Sequence, residues 1–275
     1  KSGPAGAFTA DWRIIEPRRT MPEGWEAHLR AHNLTPVDEV ALATGRPPAY
    51  KGNPESLRYL LRTRFGEDLT TQFVTVLEPY GAQPFIAGVR LLESVADAET
   101  FAAAVEVMLA DGRRDVLLVR EEPGELSAGG ASLSGRLGFA RFEGDAVVTR
   151  ALIAGERLEA GGAALTLPTG ALTGTLVSFD DRDPADVRLR LDGPELTEDV
   201  VGRYIIFANT ERSDASYRIE RVVDAHTVSI GDCSLIERLA DRGDYTRGVV
   251  YNIAPGDAWA IALSAHVGRA SSPTP

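Results

Sequence analysis

Residues able to carry acid–base or nucleophilic chemistry are few in this sequence. Glu78-Pro79-Tyr80 places a carboxylate and a phenol around a proline, between two apolar segments that predict strands. The histidines, the usual acids and bases near neutral pH, are His28, His32, His226 and His266. We first ask whether Glu78-Pro79-Tyr80 forms a working site or a corner between sheets.

The spacing of His28 and His32 in "HLRAH" suggests a metal pair only if the segment is helical. On a strand, positions four apart share a face but lie ~13 Å apart, which is too far for one ion. Since "WEAHLRAHNL" alternates like a strand, we expect these histidines on a solvent face or packed in a sheet. His226 and His266 are expected at a turn or strand end and near the chain end, respectively.

The acidic stretch "FDDRDPAD" could supply calcium with hard oxygen ligands from Asp180, Asp181, Asp183 and Asp186. It lacks the spacing of a helical calcium loop, so a solvated turn is the alternative we favour. The single cysteine, Cys233, cannot form an internal disulfide, and we expect it to be a small core residue. Phosphate loops, nucleophile elbows and dinucleotide fingerprints are absent from the sequence. We therefore expect no catalytic residues, metal or cofactor in this chain.

Basic and aromatic side chains offer a sugar-binding hypothesis. On a strand, Arg62 and Arg64 share a face and could pair with uronate carboxylates or sulfates in bidentate fashion, or simply form a charged solvent face. Aromatic rings could stack on sugars or fill the core. The aromatic candidates are Trp12, Trp25, Trp259, Tyr50, Tyr59, Tyr80 and Tyr245.

Alternation of apolar and polar residues predicts an all-β protein with few or no helices, built as two consecutive antiparallel β-sandwich blocks. The clearest alternating segments are 8–16, 25–34, 38–45, 57–66, 71–78 and 85–93. In 99–119, Asp111-Gly112 predicts a hairpin between two strands. We place a boundary in "SVADAE", giving a first block over 1–97, a smaller block over 98–270 and a loose tail over 271–275.

The net charge of −11 disfavours nucleic acids and anionic membranes as partners. The sequence contains no run of 18 apolar residues, so it predicts no membrane-spanning helix. The start, Lys1-Ser2-Gly3-Pro4, is neither an initiator methionine nor a signal peptide, so we expect the chain to begin inside a longer precursor or after processing. An acidic glycan stays a possible partner through a local basic strip.

The segment 52–92 resembles the closing part of the large β-sandwich in heparinase II/III-like polysaccharide lyases. The residues that carry the resemblance are "RYLLRTR", the turn at Gly66, Asp68 and Leu69, and the run from Phe73 to Tyr80. Downstream, "VEVMLADGRRDVLLV", "GFARFEG", "YRIERVVDAHTVSIGD" and "YNIAPGDAWAI" are also similar to that family, in the same order.

The resemblance implies an α/α toroid followed by β-sandwich domains, and β-elimination at a uronic acid. In this family a side chain neutralises the uronate carboxylate and a Tyr or His removes the C5 proton. None of the family's catalytic or metal-ligand motifs matches a position here. We therefore expect a secreted or periplasmic protein whose present chain braces a catalytic toroid, in the same or another chain, and lines the cleft for an acidic polysaccharide.

For substrate contact, the residues we single out are Trp25, Arg62, Arg64, Glu78 and Tyr80. For Glu78 and Tyr80 we favour a hinge role, in which their side chains satisfy backbone groups freed by the turn. The alternative function is a stand-alone carbohydrate-binding or adhesive module, which predicts exposed aromatic residues in line on one sheet. A purely structural partner that binds no sugar is the third possibility.

Overall fold

The computed structural model describes residues 2–14, 22, 24–49, 53–96, 100–208 and 215–268. The chain is all-β, as predicted: 63% of it is strand, arranged in several antiparallel sheets. Short 3₁₀ turns occur at Glu198–Val200 and Tyr245–Arg247. Within the described ranges, no helix is long and apolar enough to cross a membrane.

The first strands form two small sheets. They are β1 (Ser2–Ala5), β2 (Phe8–Arg13), β3 (His28–Asn33), β4 (Val37–Gly45), β5 (Leu57–Thr63) and β6 (Thr75–Tyr80). The next strand, β7 (Ile86–Ala96), belongs to a different sheet. One three-stranded sheet has the order β1-β4-β5, and the other has the order β2-β3-β6. The alternating segments thus mark real strands, although β1 was not predicted.

A long sheet follows, built from β7 and from β8 (Phe101–Leu109), β9 (Arg114–Ala128), β10 (Ala131–Glu143), β11 (Ala146–Ala160) and β12 (Ala163–Thr166). Its strands are neighbours in chain order, from β12 to β7. The predicted hairpin is confirmed, because β8 and β9 pair across the turn at Asp111-Gly112. Buried carboxylates in this sheet are paired: Glu106 with Arg90 and Arg114, and Asp115 with Arg141.

The remaining strands are β13 (Ala171–Asp180), β14 (Val187–Asp192), β15 (Tyr204–Ala208), β16 (Ala215–Arg218), β17 (Arg221–Asp224), β18 (Thr227–Gly231), β19 (Ile236–Leu239), β20 (Val249–Tyr251), β21 (Ala258–Ala262) and β22 (Ser264–Gly268). The order β16-β15-β21-β13-β14-β18-β17 forms a second large sheet, β19 pairs with β20, and β22 pairs with β11.

The chain divides into two compact units. The first contains the residues up to Leu152, Arg157–Thr166 and the residues from His266 onward; the second contains Ile153–Glu156 and Leu167–Ala265. The boundary predicted near residues 94 to 99 falls inside the first unit, where the flanking strands β7 and β8 are paired. Residues 97–99 and the predicted loose tail, 271–275, lie outside the described residues.

The core of the second unit follows directly from strand periodicity. In β14 the buried residues are Val187, Leu189 and Leu191, and the residues between them are exposed. Gly174 is required by close packing, because a Cβ there would lie 1.9 Å from the carbonyl oxygen of Asp192. The alternation predicted from the sequence therefore places the apolar residues of β14 on the buried face of the sheet.

Candidate functional site

The densest group of polar side chains lies on one face of the sheet β2-β3-β6. The cross-strand register aligns Asp11 with Arg30 and Arg30 with Glu78. In the next row that shares this face, His28 is aligned with Tyr80. Because side chains alternate between faces, residues two apart in each strand point to the same side. Three segments distant in sequence thus place their polar residues together, and we call this group the polar face.

The centre of the polar face is a three-residue hydrogen-bond network. The Tyr80 hydroxyl donates to Asp11 Oδ2 at 2.6 Å. Arg30 Nε donates to the same oxygen at 2.9 Å, and Arg30 Nη2 lies 2.8 Å from it. Arg30 Nη2 also donates to the Tyr80 oxygen at 3.4 Å, and its guanidinium carbon lies 5.1 Å from the ring centroid. Asp11 therefore fixes both the guanidinium and the phenol.

His28 extends this network toward the end of β3. Its ring stacks on Tyr80 with centroids 4.8 Å apart and planes 14° from parallel. Its Nε2 lies 3.1 Å from Glu26 Oε1, and its Nδ1 lies 3.7 Å from Asp11 Oδ1. The imidazole is thus held between two carboxylates while one face covers the phenol.

Glu78 is completely buried and ties the strand to the following turn. Its Oε1 accepts hydrogen bonds from the backbone N–H groups of Phe85 and Ile86, both at 2.7 Å. Its Oε2 lies 3.0 Å from His32 Nε2 and 3.9 Å from Arg30 Nη1. A buried carboxylate needs such partners, since an unpaired one would carry a large desolvation penalty.

The corner predicted at Glu78-Pro79-Tyr80 lies one step later than expected. All three residues belong to β6, and the bend follows at residues 81–83. β6 is the end strand of its sheet, which is where a strand tolerates proline. The prediction that Glu78 satisfies backbone groups of the turn is confirmed, whereas the Tyr80 hydroxyl bonds Asp11 instead.

The network shifts the protonation equilibria of its members. The hydrogen bond from Tyr80 lowers the pKa of Asp11, and the same bond raises the pKa of Tyr80. Burial alone would raise the pKa of Glu78, but hydrogen bonds from the Ile86 backbone, His32 and the Phe85 backbone together hold it below the usual value. Near neutral pH the phenol is therefore a donor and both carboxylates are charged.

An open concavity of ≈ 330 Å³ adjoins this group. Arg30 and His32 line it, together with Thr9 and the segment 86–89 at the start of β7. The concavity thus offers a cation, an imidazole and backbone polar groups to a ligand. The rest of the lining includes the apolar residues Phe8, Leu34 and Val89, so the concavity suits a ligand that has both polar groups and an apolar face.

The other predicted substrate residues lie apart from the polar face. Arg62 donates to Thr75 Oγ1 at 2.8 Å, and its guanidinium carbon lies 4.9 Å from the centroid of the Phe73 ring. Arg64 follows the end of β5, where it approaches Asp38 at 3.4 Å. Trp25 is 37% exposed in the segment before β3. Of the five residues predicted to contact substrate, only Glu78 and Tyr80 join one network.

In the acidic stretch considered as a calcium site, arginine side chains pair with the carboxylates of Asp180 and Asp186. Asp180 pairs with Arg182, and Asp186 accepts hydrogen bonds from Arg188 and Arg221. The hydrogen bond from the Ser229 hydroxyl, followed by that from Arg188, lowers the pKa of Asp186 to about 2. Across the described ranges no group of three His, Cys, Asp or Glu side chains is placed to hold a metal ion.

The remaining chemical candidates are structural in their settings. His226 lies in the turn between β17 and β18, as expected, and His266 lies within β22. Cys233 is partly buried and packs against the core of the second unit. Trp259 is buried in that core, as the core alternative for the tryptophans predicted.

Asp11 and Arg30 are the functional candidates that the sequence reasoning missed. Their signal was present, because "TADWR" and "HLRAH" carry polar residues at every second position, where a strand presents one face. What the sequence lacked was the pairing of β2, β3 and β6. A scan against protein-family models found no match, and a search of curated proteins found no similar sequence.

Proposed function

We propose that this chain is the β-sandwich portion of a heparinase II/III-like polysaccharide lyase. It lines the cleft for an acidic glycan and braces a catalytic α/α toroid in the same or another chain, in a secreted or periplasmic protein. The observation that supports this most is the polar face, where Arg30 is held by Asp11 and Tyr80 and lines an open concavity. The resemblance of residues 52–92 to the family supplies the reaction class.

The polar face offers both hydrogen-bond donors and acceptors to a sugar ring. Arg30 presents donors suited to a uronate carboxylate, and Asp11 presents an acceptor for hydroxyl groups. Their side chains are 25% and 33% exposed, so a ligand can reach both while their mutual bonds hold them in place. A fixed guanidinium loses less conformational freedom on binding than a mobile one.

The same network argues for a supporting role in β-elimination. The reaction needs a base for the C5 proton, whereas the hydrogen bond to Asp11 raises the pKa of Tyr80 and keeps the phenol protonated. The single hydrogen of the phenol is donated to Asp11, so Tyr80 positions the Asp11 carboxylate on the cleft wall. The proton-removing group belongs to the partner domain in this proposal.

Binding of a uronate polymer to the chain, measured by calorimetry, tests the proposal. Arg30→Gln removes a charge-assisted contact and should weaken binding roughly tenfold. Arg182→Gln is the matched control, because Arg182 is an aspartate-paired arginine in the second unit, and should leave affinity unchanged. Equal affinities for the Arg30 and Arg182 variants would contradict the proposal that the polar face binds the glycan.

Turnover is measured on the same material by following the unsaturated uronate product. We expect none from this chain alone and product formation only with the toroid domain present. Robust product formation by the chain alone would overturn the supporting role. Folding of the Arg30 variant is checked independently by its thermal unfolding midpoint.

A stand-alone carbohydrate-binding module is the second candidate, and the arrangement of aromatic residues gives it less support. Exposed aromatic residues among the described positions are Trp25, Tyr59, Phe65, Phe73, Phe85, Tyr204 and Tyr245. Only Tyr59 and Tyr204 of these lie in strands, so no in-line row forms within the described part of the chain. Tight binding of neutral glycans by the isolated chain would favour this module instead.

A further inference from the structure

Strand β5 carries an apolar row where a solvent-facing strand normally carries polar residues. Leu57, Tyr59 and Leu61 alternate along one side of the strand and are 39%, 44% and 49% exposed. Their register neighbours on β4 include Ala41 and Ala43, so the adjacent strand adds no polar side chain there. Antiparallel sheets usually place polar residues on an open face.

The same strand is the end of its sheet. Within the described residues β5 pairs with β4 and with no other strand. An edge strand leaves a row of unpaired N–H and C=O groups, which is a template for another strand. A helix laid on the apolar row would leave those backbone groups unpaired, whereas a strand added at the edge satisfies them.

The opposite side of β5 carries arginines. Arg58 is exposed, and no described carboxylate forms an ion pair with it. Arg62 contacts the Thr75 hydroxyl and the Phe73 ring rather than a described carboxylate. Just beyond the strand, Arg64 Nε is buried without a hydrogen bond, although Asp38 lies 3.4 Å away. In a protein of net charge −11, this edge is a local basic strip.

We propose that β5 docks a β-strand of a neighbouring domain in which apolar and acidic residues alternate. The apolar side chains of the incoming strand extend the row of Leu57, Tyr59 and Leu61. Its acidic side chains lie opposite Arg58 and Arg62, as cross-strand pairs of opposite charge. This surface is distinct from the polar face, so the inference does not depend on glycan binding.

Charge also disfavours one pairing of β5 with a second copy of the chain. An antiparallel pairing of two β5 strands centred on Leu60 would place Arg58 of each copy opposite Arg62 of the other. Like charges directly opposite each other destabilise a strand pair. An acidic strand is therefore the better complement.

Peptide binding to the whole chain tests the proposal. The probe is a fluorescent peptide, Val-Glu-Val-Thr-Val-Glu-Val, whose two glutamates are four residues apart like Arg58 and Arg62, and the control peptide has lysine in place of both glutamates. Anisotropy should show saturable binding of the acidic peptide, with the lysine peptide roughly fivefold weaker or more. Arg58→Glu should weaken the acidic peptide and strengthen the lysine peptide, about threefold each. Arg238→Glu, an exposed arginine on β19, should change neither affinity.

Three results would overturn the inference. They are the absence of saturable binding up to about millimolar peptide, equal binding of the two peptides, and a chain dimer in light scattering that Leu61→Lys dissociates. The unfolding midpoint of the Arg58 variant serves as the folding control, since an exposed side chain contributes little to stability.

Discussion

The small sheets at the start of the chain and the large sheet of the second unit are held together differently. In the second unit, every second residue of several strands enters one continuous apolar core that includes Leu189, Ile205 and Trp259. Among the described residues up to 96, the buried hydrophobic ones are Ala31, Leu34 and Val37. Buried Glu78 and the network around Arg30 are further ties there, beside an apolar cluster in which Val74 and Val76 pack against Leu34.

This difference predicts that the two regions respond differently to pH. Apolar burial is non-directional and insensitive to pH, whereas a polar network needs each partner in its protonation state and position. The small sheets also expose large apolar side chains, as on β5. The first region therefore carries both surfaces for which binding is proposed above, whereas the second is held by a continuous apolar core.

Leu189→Ala should produce the largest effect, because Leu189 is fully buried in the core of the second unit. Removing its side chain atoms leaves a cavity and should cost about 2–5 kcal/mol of unfolding free energy. Leu61→Ala on β5 is the matched control and should cost about 0.5 kcal/mol or less. Urea unfolding monitored by tryptophan fluorescence measures both. Similar losses of unfolding free energy in the two variants would contradict the difference described between the two regions.

Glu78→Gln should be next in size and should act on the first unit. The amide keeps one acceptor but loses the charge that two backbone N–H groups and His32 stabilise. We expect a loss of about 2 kcal/mol in the stability of that unit. Amide hydrogen exchange should show faster opening in β6 and β7 with β14 unchanged; protection that stays the same in both regions would contradict the role given to Glu78.

The pH dependence of stability should differ between the two regions. The pKa of Glu78 in the folded chain lies below its ordinary value of 4.5, so its contribution is complete above 4.5 and is lost as the pH falls through the folded value. The corresponding window for Asp186 in the second unit runs from 3.8 down to about 2. On acidification, exchange protection should fall in β6 before it falls in β14. The opposite order would refute the assignment.

Tyr80→Phe should give the smallest effect. It removes the hydrogen bond to Asp11 and the longer one from Arg30, and keeps the ring that stacks on His28. A hydrogen bond to a charged carboxylate contributes about 1.5–3 kcal/mol, and the partial exposure of Asp11 lowers the expected cost to about 1 kcal/mol. Urea unfolding at neutral pH measures the change, and Tyr245→Phe, at an exposed ring, is the control that should show none. A Tyr80→Phe cost as large as that of Glu78→Gln would mean that the phenol, rather than the buried carboxylate, supports this sheet.

The sequence by itself determined the strands of this protein. Period-two alternation marked most of the early strands, and Asp111-Gly112 marked the hairpin of β8 and β9, because strand geometry and turn chemistry are local properties. Strand ends were less certain: Glu78-Pro79-Tyr80 is predicted as a corner yet continues β6, since an edge strand tolerates proline.

Only the tertiary structure decided which residues meet. Asp11, Arg30 and Tyr80 are brought together by the pairing of β2 with β3 and of β3 with β6. Register is a non-local property, fixed by which faces are buried and by how the connections return the chain. For the same reason, the sequence could place Leu57, Tyr59 and Leu61 on one side of a strand, but only the sheet order showed that this strand is an edge.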